Sequence, residues 1–211
     1  MLTDTASYST AIAQQSALTG SSILESDTAL TLSKYGRAVK ASYEAIRRQR
    51  LDVFAVILRA IGVKLAGAIL KQAVSVLTSG AGSTTAKAGS ALAYSDLAAL
   101  CGKFSNFNMN ALIASPSVMA SIVAMEQMME TASEQPGQIR LPFGAMLYKA
   151  AQLDDQTIIG LDRDFALEMI TATDLILETD KLIESQMDLI AVSIQVGFRT
   201  LTSDAVHLLT L

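Results

Sequence analysis

Between Ser42 and Ser79 large apolar residues recur at Ile46, Val53, Phe54, Ile57, Leu58, Ile61, Leu65, Ile69, Val76 and Leu77, in steps of three and four. That spacing draws a stripe down one side of a 3.6-residue helix. Glu44, Arg47, Arg48, Arg50, Asp52, Arg59, Lys64 and Lys71 interrupt the apolar runs, which argues against a membrane span. A helix over the whole stretch would be about 55 Å long at ~1.5 Å per residue, the scale of an entire small domain. Gly62 and Gly67 cost such a helix about 1 kcal/mol each against Ala, whereas each buried Leu, Ile or Phe contributes roughly 1.5–3 kcal/mol. Packing outweighs propensity, so the helix must lie along something extended.

The flanking patterns predict what that is. Residues 1 to about 20 are mostly Ser, Thr, Ala and Gln, an arm that cannot bury enough surface to fold alone. From Ile23 to Ala41, the LTL run and the alternation of Tyr35, Arg37, Val39 and Ala41 predict two short strands around Ser33–Gly36. A lone hairpin is marginal in water, so this one is expected to rest on a neighbouring subunit. Gly80 to Ala93 reads as a small-residue linker without periodicity. Tyr94 to Phe104 reads as a short helix with Ser95 as N-cap and Gly102 near its end. Ala111 to Ala114 reads as a buried strand turning at Ser115, the N-cap of a helix that has Pro116 at its first position. Met119, Met125, Met128 and Met129 crowd that helix as adaptable core. Pro136, Gly137 and Pro142 mark a loop.

Beyond Ala145 the chain reads mostly as strand: AMLYKAA, TIIGLDR, FALEMIT, DLILETD and a long closing stretch. There Ile190, Val192, Ile194 and Val196 alternate with Ala191, Ser193 and Gln195, the period of a strand buried on one face. Gly197 is expected to bend the chain before Phe198–Leu201. These closing strands are expected to lie along the long helix.

Composition sharpens the picture. The 211 residues suit one or two small domains; 51% are hydrophobic and only 17% charged, which is apolar for a soluble monomer. Burial between copies would account for the excess. A formal net charge of -4 disfavours a general nucleic-acid binder, which needs a basic footprint. Cys101, the single cysteine, excludes an intrachain disulfide and a cysteine-rich zinc site, and reads as a buried thiol of a reducing compartment. Met1 runs directly into LTDTASYSTAIAQQSALTG, so no standard secretory signal is expected.

Three segments now carry a resemblance: LTLSKYGRAVKASYEAIRRQRLDVFAVILRAIGVKLA, then MNALIASPSVMASIVAMEQM, then DDQTIIGLDRDFALEMIT with ETDKLIESQMDLIAVSIQVGFRTLTSDAVHLLTL. In kind and order they resemble the major capsid proteins of tailed bacteriophages, whose α+β fold is named after phage Hong Kong ninety-seven. The resemblance implies an N-terminal arm over 1–19 and an extended E-loop hairpin over 20–41. It implies a peripheral domain with spine helix and linker over 42–93, an axial domain over 94–172 and closing peripheral strands over 173–211. It also implies a self-assembling homo-oligomer of hexamers and pentamers, an icosahedral shell enclosing double-stranded DNA without sequence recognition. Such a shell is built in the host bacterial cytoplasm and found as the virion capsid. Scaffold, portal or decoration proteins are further partners; a membrane, a cofactor and a metal are not expected. Lys34, Tyr35, Arg37, Glu44, Arg47, Arg48 and Arg50 are the expected inter-subunit contacts. The chain is compact for the family, so a scaffold segment is absent, supplied by another protein, or removed. Some relatives join an E-loop lysine to a peripheral-domain asparagine. Lys34 and Lys40 offer the amine, but Asn106, Asn108 and Asn110 all fall in the axial insert, so no such link is expected. An encapsulin-like nanocompartment is the alternative within this fold; a small hydrolase or binding domain is the alternative outside it.

Catalytic chemistry finds little support. Gly80, Gly82 and the Ser83–Thr85 run suggest a phosphate loop, but Ala88 stands where lysine is required and a helix precedes it. No Gly-x-Ser-x-Gly elbow presents a nucleophile. His207, the single histidine, with Asp204 three residues before it, reads as structural, at an edge or interface. Asp154, Asp155, Asp162 and Asp164 lack the glycine and closing glutamate of a calcium loop and read as a solvated turn. Glu44 and Arg48, four apart, form at most a local pair of about 0.2–0.5 kcal/mol. The reading is of a structural protein, not an enzyme.

Overall fold

The computed structural model describes Gln14 and residues 30–44, 51–129 and 139–211. The apolar stripe forms one helix, α1 (Leu51–Ser79), about 44 Å long at ~1.5 Å per residue. Tyr43 and Glu44 are also helical, but Ser42, the expected first residue, ends a strand, and 45–50, with Ile46, Arg47, Arg48 and Arg50, lie outside the described residues. By length and hydropathy alone Leu58–Ser79 passes for a membrane span, so its charges do not exclude one. In this fold, however, the helix packs along two sheets.

The first sheet has three antiparallel strands in the order β1-β8-β7: β1 (Ser33–Ser42), β7 (Leu167–Leu182) and β8 (Met187–Thr200). Ser33–Gly36 is therefore no turn. The alternation expected for one arm of a hairpin continues through Gly36, which is glycine because a Cβ there would come within 2.8 Å of the Val192 carbonyl oxygen. The other expected arm, before Leu30, lies outside the described residues. FALEMIT and DLILETD are one strand, β7, with register shifts between Thr171 and Thr173 and between Thr173 and Ile176. Gly197 makes no bend either. It pairs with Ile170 inside β8, and the Leu30 and Leu32 side chains occupy the space above it.

The second sheet is mixed and six-stranded. Its strands β2 (Ser83–Ala86), β3 (Ala111–Ala114), β4 (Ile139–Arg140), β5 (Met146–Lys149), β6 (Thr157–Leu161) and β9 (Val206–Thr210) run in the order β2-β9-β6-β3-β5-β4. The linker after α1 thus contains a strand, β2, whose short Ser-Thr-Thr-Ala alternation is too weakly apolar to be legible. The last strand, β9, lies against the helix through Val206 and Leu208 as expected, but within the six-stranded sheet, paired with β6 and β2; the expected 172/173 division falls inside β7. On one face α2 (Tyr94–Cys101) and α3 (Pro116–Val123) bury Leu97, Leu100, Val118 and Ile122 against Leu112, Leu147, Ile158 and Leu209. Met128, from the short helix α4 (Glu126–Met129), joins this core, with Met119 and Met125 partly buried against it. The Ser115 Oγ accepts from the Val118 N–H and Pro116 opens α3, as expected. The N-cap of α2 is Ala93, not Ser95, because Asp96 supplies the carboxylate that takes the Ala93 N–H.

On the opposite face Val74 and Leu77 of α1 pack with Ala111, Ile159, Leu161, Val206 and Leu208. Ala73, one position away, packs with Ile69 and Val76 on Val196 and Phe198 of the three-stranded sheet. The C-terminal half of α1 therefore serves both sheets. Three chain crossings join them beside it, stitched by the Gly82 N–H to Ser203 and Val206 carbonyls, Asp162 N–H to Ala205 O and Leu201 N–H to Ala166 O. Gly82 is needed here, since a Cβ would stand 2.7 Å from Ser203 O.

The same substitution is thus expected to act with opposite sign at two glycines. Gly82→Ala forces backbone apart and should lower stability by about 1–3 kcal/mol. Gly62→Ala, with nothing within 4 Å of the added Cβ, should raise it by up to about 1 kcal/mol through helix propensity. Denaturant unfolding of the two variants beside the parent checks both signs.

Candidate interaction surface

Cross-strand partners in an antiparallel pair share a face. Val192 and Ile194 of β8 look toward α1, so their partners Arg37 and Tyr35 stand on the helix side of β1. Lys34 and Lys40, opposite Gln195 and Leu189, stand on the other side. Lys34 and Arg37 are exposed and meet no acidic partner among the described residues; Tyr35 is half-buried, and Glu44 is exposed. β1 therefore separates the expected contact residues onto two faces at a sheet edge. Arg47, Arg48 and Arg50 lie outside the described residues.

The larger surface was not singled out from sequence. Leu175 and Leu177 of β7 are 58% and 60% exposed, and Ile183, in the turn joining β7 to β8, is 82% exposed. Val56 and Val63 on α1 and Met169 on β7 are exposed as well. Large apolar side chains left exposed on one helix and one sheet make these faces the candidate surface for a partner. Asp174, Glu178, Asp180, Glu184 and Asp188 surround the far end of this hairpin, with Lys181 the one base among them. The turn itself closes through Gln186 in the left-handed conformation, φ 50°. The signal was present in DLILETD, where apolar residues occupy both strand faces. Read alone, that pattern is indistinguishable from a buried core strand.

The polar groups with catalytic potential are structural. His207 is buried in β9, between β2 and β6 rather than at an edge. Its Nδ1 lies 2.8 Å from Ser83 Oγ, and Phe104 meets the ring edge-on at 4.6 Å. Burial pushes its imidazole below the ordinary value, against the opposing pull of the Asp204 charge and a backbone hydrogen bond at Asp204. Asp162 is no solvated turn residue. It is buried, and its carboxylate accepts from the Asn108 N–H, the Asn110 side-chain amide and the Asp164 N–H. Asn110 is completed by the Arg163 N–H, which it accepts. Asp154 accepts from the Gln156 N–H, and Asp155 accepts a hydrogen bond from the Ser117 hydroxyl. Asp96 is buried too, accepting from the Ala93 and Ala88 N–H groups, and these hold its carboxyl below the usual range. No cluster of three or more metal-ligating side chains occurs among the described residues.

Comparison with known proteins follows the same direction. The family model described as phage capsid protein matches residues 25–191. No curated protein matches the sequence. Among solved structures, the chain is similar to the capsid of a native GTA particle, with 17% identity and a TM-score of 0.76, over 100% of this chain and 84% of that one. It is similar to Mycobacterium phage Che8 at 15% identity and TM-score 0.70, covering 99% and 82% of the two chains. It is similar to the holo-SrpI encapsulin complex from Synechococcus elongatus PCC 7942 at 14% identity and TM-score 0.69, covering 90% and 77%. At these identities the likeness establishes the fold.

Two buried groups set a pH dependence of stability. His207 has a lowered folded value, so the unfolded chain binds the extra proton, and stability is expected to fall as pH drops below about 6.5. Asp96 also has a lowered folded value, so its contribution is present above about 3.9 and is lost as pH falls further. Unfolding midpoints measured from pH 8 to 3 should show both losses; His207→Gln should remove the first and Asp96→Asn the second. Asp162→Ala removes the acceptor shared by three part-buried hydrogen bonds and should cost about 1–3 kcal/mol in all, read by the same unfolding.

Proposed function

Because this chain belongs to the phage capsid protein family and is a major capsid protein, we propose that its copies form hexamers and pentamers that close into an icosahedral shell around double-stranded DNA. The match across residues 25–191 carries this reading. The uncovered apolar side of α1 and the three-stranded sheet supports it physically, because a free subunit leaves Leu175, Leu177 and Ile183 in water. A modest contact repeated under closed symmetry hides that surface on every copy.

In this reading α1 with the three-stranded sheet acts as the peripheral domain, and the six-stranded sheet with α2 and α3 as the axial domain around which rings form. Residues 1–19 act as an arm, and 20–41 reach a neighbour through Lys34, Tyr35 and Arg37. Glu44, Arg47, Arg48 and Arg50 pair with charges on the adjacent subunit; the acidic end of the β7–β8 hairpin, with Glu178, Asp180 and Glu184, offers partners for the arginines. DNA is held by confinement, as suits a chain of net charge -4. Assembly takes place in the bacterial cytoplasm with scaffold, portal or decoration proteins, and the subunit performs no reaction. The likeness to the encapsulin complex over 90% of this chain favours a second reading, a protein-filled compartment with the same shell physics.

Negative-stain microscopy with light scattering tests the proposal. Closed shells, tubes or rings are expected, with nuclease-protected DNA inside for a capsid and protein for a compartment. A monomer that persists at high concentration and under crowding overturns it. Arg47→Glu with Arg48→Glu should slow assembly; an unchanged rate removes their role. Particles boiled in denaturant should run as a single monomer band, since Asn110 is held by Asp162 and no lysine–asparagine link is expected. A covalent ladder contradicts this.

A further inference from the structure

On its α1 side the six-stranded sheet is only partly covered. Val74 and Leu77 of α1 pack on Leu208, Val206, Ile159, Leu161 and Ala111, and neither β5 nor β4 adds a strand residue to that core. Strand partners share a face, so Met146 beside Ala111, Tyr148 beside Ile113 and Arg140 beside Met146 all stand on this side. Arg140 and Tyr148 are exposed. Strand spacing puts their Cα atoms about 8 Å apart. Arg163, beyond the end of β6, reaches across the sheet and donates from Nη1 to the Tyr148 Oη at 3.0 Å. One corner of its guanidinium is thereby held while the side chain stays exposed.

The charges around this strip are one-sided. A Cβ on Gly67 would stand 3.1 Å from Gln152 Nε2, in the loop after β5, so this side of α1 borders the strip. Lys64 and Lys71, three residues before and four after Gly67, share that side of the helix and are exposed. No ion pair among the described residues neutralises Arg140, Arg163, Lys64 or Lys71. Asp162, Asp154 and Asp155 are engaged with the hydrogen-bond donors named above. In the three-stranded sheet Glu168, Glu178 and Asp180 stand beside Arg199, Ala191 and Leu189, on the face away from α1.

We infer that Arg140, Tyr148 and Arg163 bind the phosphodiester backbone of nucleic acid, with Lys64 and Lys71 at the rim of the site. A guanidinium fork matches two oxygens of one phosphate, and the exposed ring offers a face to a sugar or an unpaired base. A single protein carboxylate would satisfy one cation, whereas each strand of a duplex presents a phosphate about every 3.4 Å of its axis and meets several at once. Such a contact positions the backbone and reads no sequence. The inference rests on the shell reading for the source of the nucleic acid, and adds a direct contact to confinement.

Fluorescence anisotropy of a short mixed-sequence DNA duplex, titrated with the unassembled full-length chain at several salt concentrations, tests the site. Arg140→Gln and Arg163→Gln should each flatten the slope of log affinity against log salt by about 0.9, and together should weaken low-salt binding about tenfold. Arg163→Lys, which keeps the charge and loses the fork, should keep the slope and lose affinity. Lys103→Gln with Lys149→Gln removes the same charge from the side that carries α2, and should leave binding unchanged. Unfolding midpoints report whether each variant is folded; Arg140→Gln, at an exposed edge-strand position, decides the matter if Arg163→Gln is destabilised. A double variant that binds like the parent overturns the inference, as does an equal loss in the control pair. Polyglutamate that competes charge for charge also overturns it and assigns the strip to an acidic protein. If shells form and the double variant binds DNA as the parent does, the strip fails and the shell reading stands. If the chain binds DNA through the strip and never closes into shells, the shell reading fails and the site stands.

Discussion

The last turns of α1 form a wall that two sheets share, and the remainder of the fold depends on it. Val74 and Leu77 face the six-stranded sheet while Ala73, Val76 and Ile69 face the three-stranded one. A helix has room for two such stripes only when its neighbours diverge. Where the sheets come together the helix is gripped on both sides; further toward its N-terminus a single sheet remains, and the helix lifts away from it. The uncovered surface of the subunit therefore follows from the way its core is built.

Much of this order was legible from periodicity, and the failures have particular causes. The long helix, the Ala111–Ala114 strand with its Ser115 and Pro116 turn, and the alternation of Ile190 to Val196 were readable because each is a local signal repeated over enough residues. Gly36 and Gly197 misled because glycine was taken as a place for the chain to turn. Here each is a place where another part of the chain comes too close for a side chain, which only the tertiary partner reveals. β2 was missed because sheet membership is a non-local property: it has only four residues, and its parallel pairing with β9 spans over a hundred residues of sequence. Of the expected contact residues, Tyr35 and Arg37 could be placed on one face and Lys34 on the other by period alone. The exposed Leu175, Leu177 and Ile183 could not, since an apolar residue left exposed in the folded chain carries the same sequence signature as a buried one.

Polar anchors complete a mostly apolar interior. Asp162 ties the Asn108–Asn110 approach to the start of β7, and Asp96 ties the segment after β2 to α2. Each carboxylate takes main-chain donors that would otherwise be lost at a chain crossing, where no strand or helix partner is available. Asp162, which in sequence looked like part of a solvated turn, is thus a joint between elements.

β7 lies at the outer edge of its sheet, so a strand of 16 residues keeps one side of its backbone free among the described residues. A flat edge of that length would template further strands and lead to open-ended fibres. The two register shifts near Thr173 break the row of donors and acceptors into shorter stretches and twist it. The irregularity that looks like poor pairing with β8 therefore shortens the stretches of free edge on which another strand could pair in register.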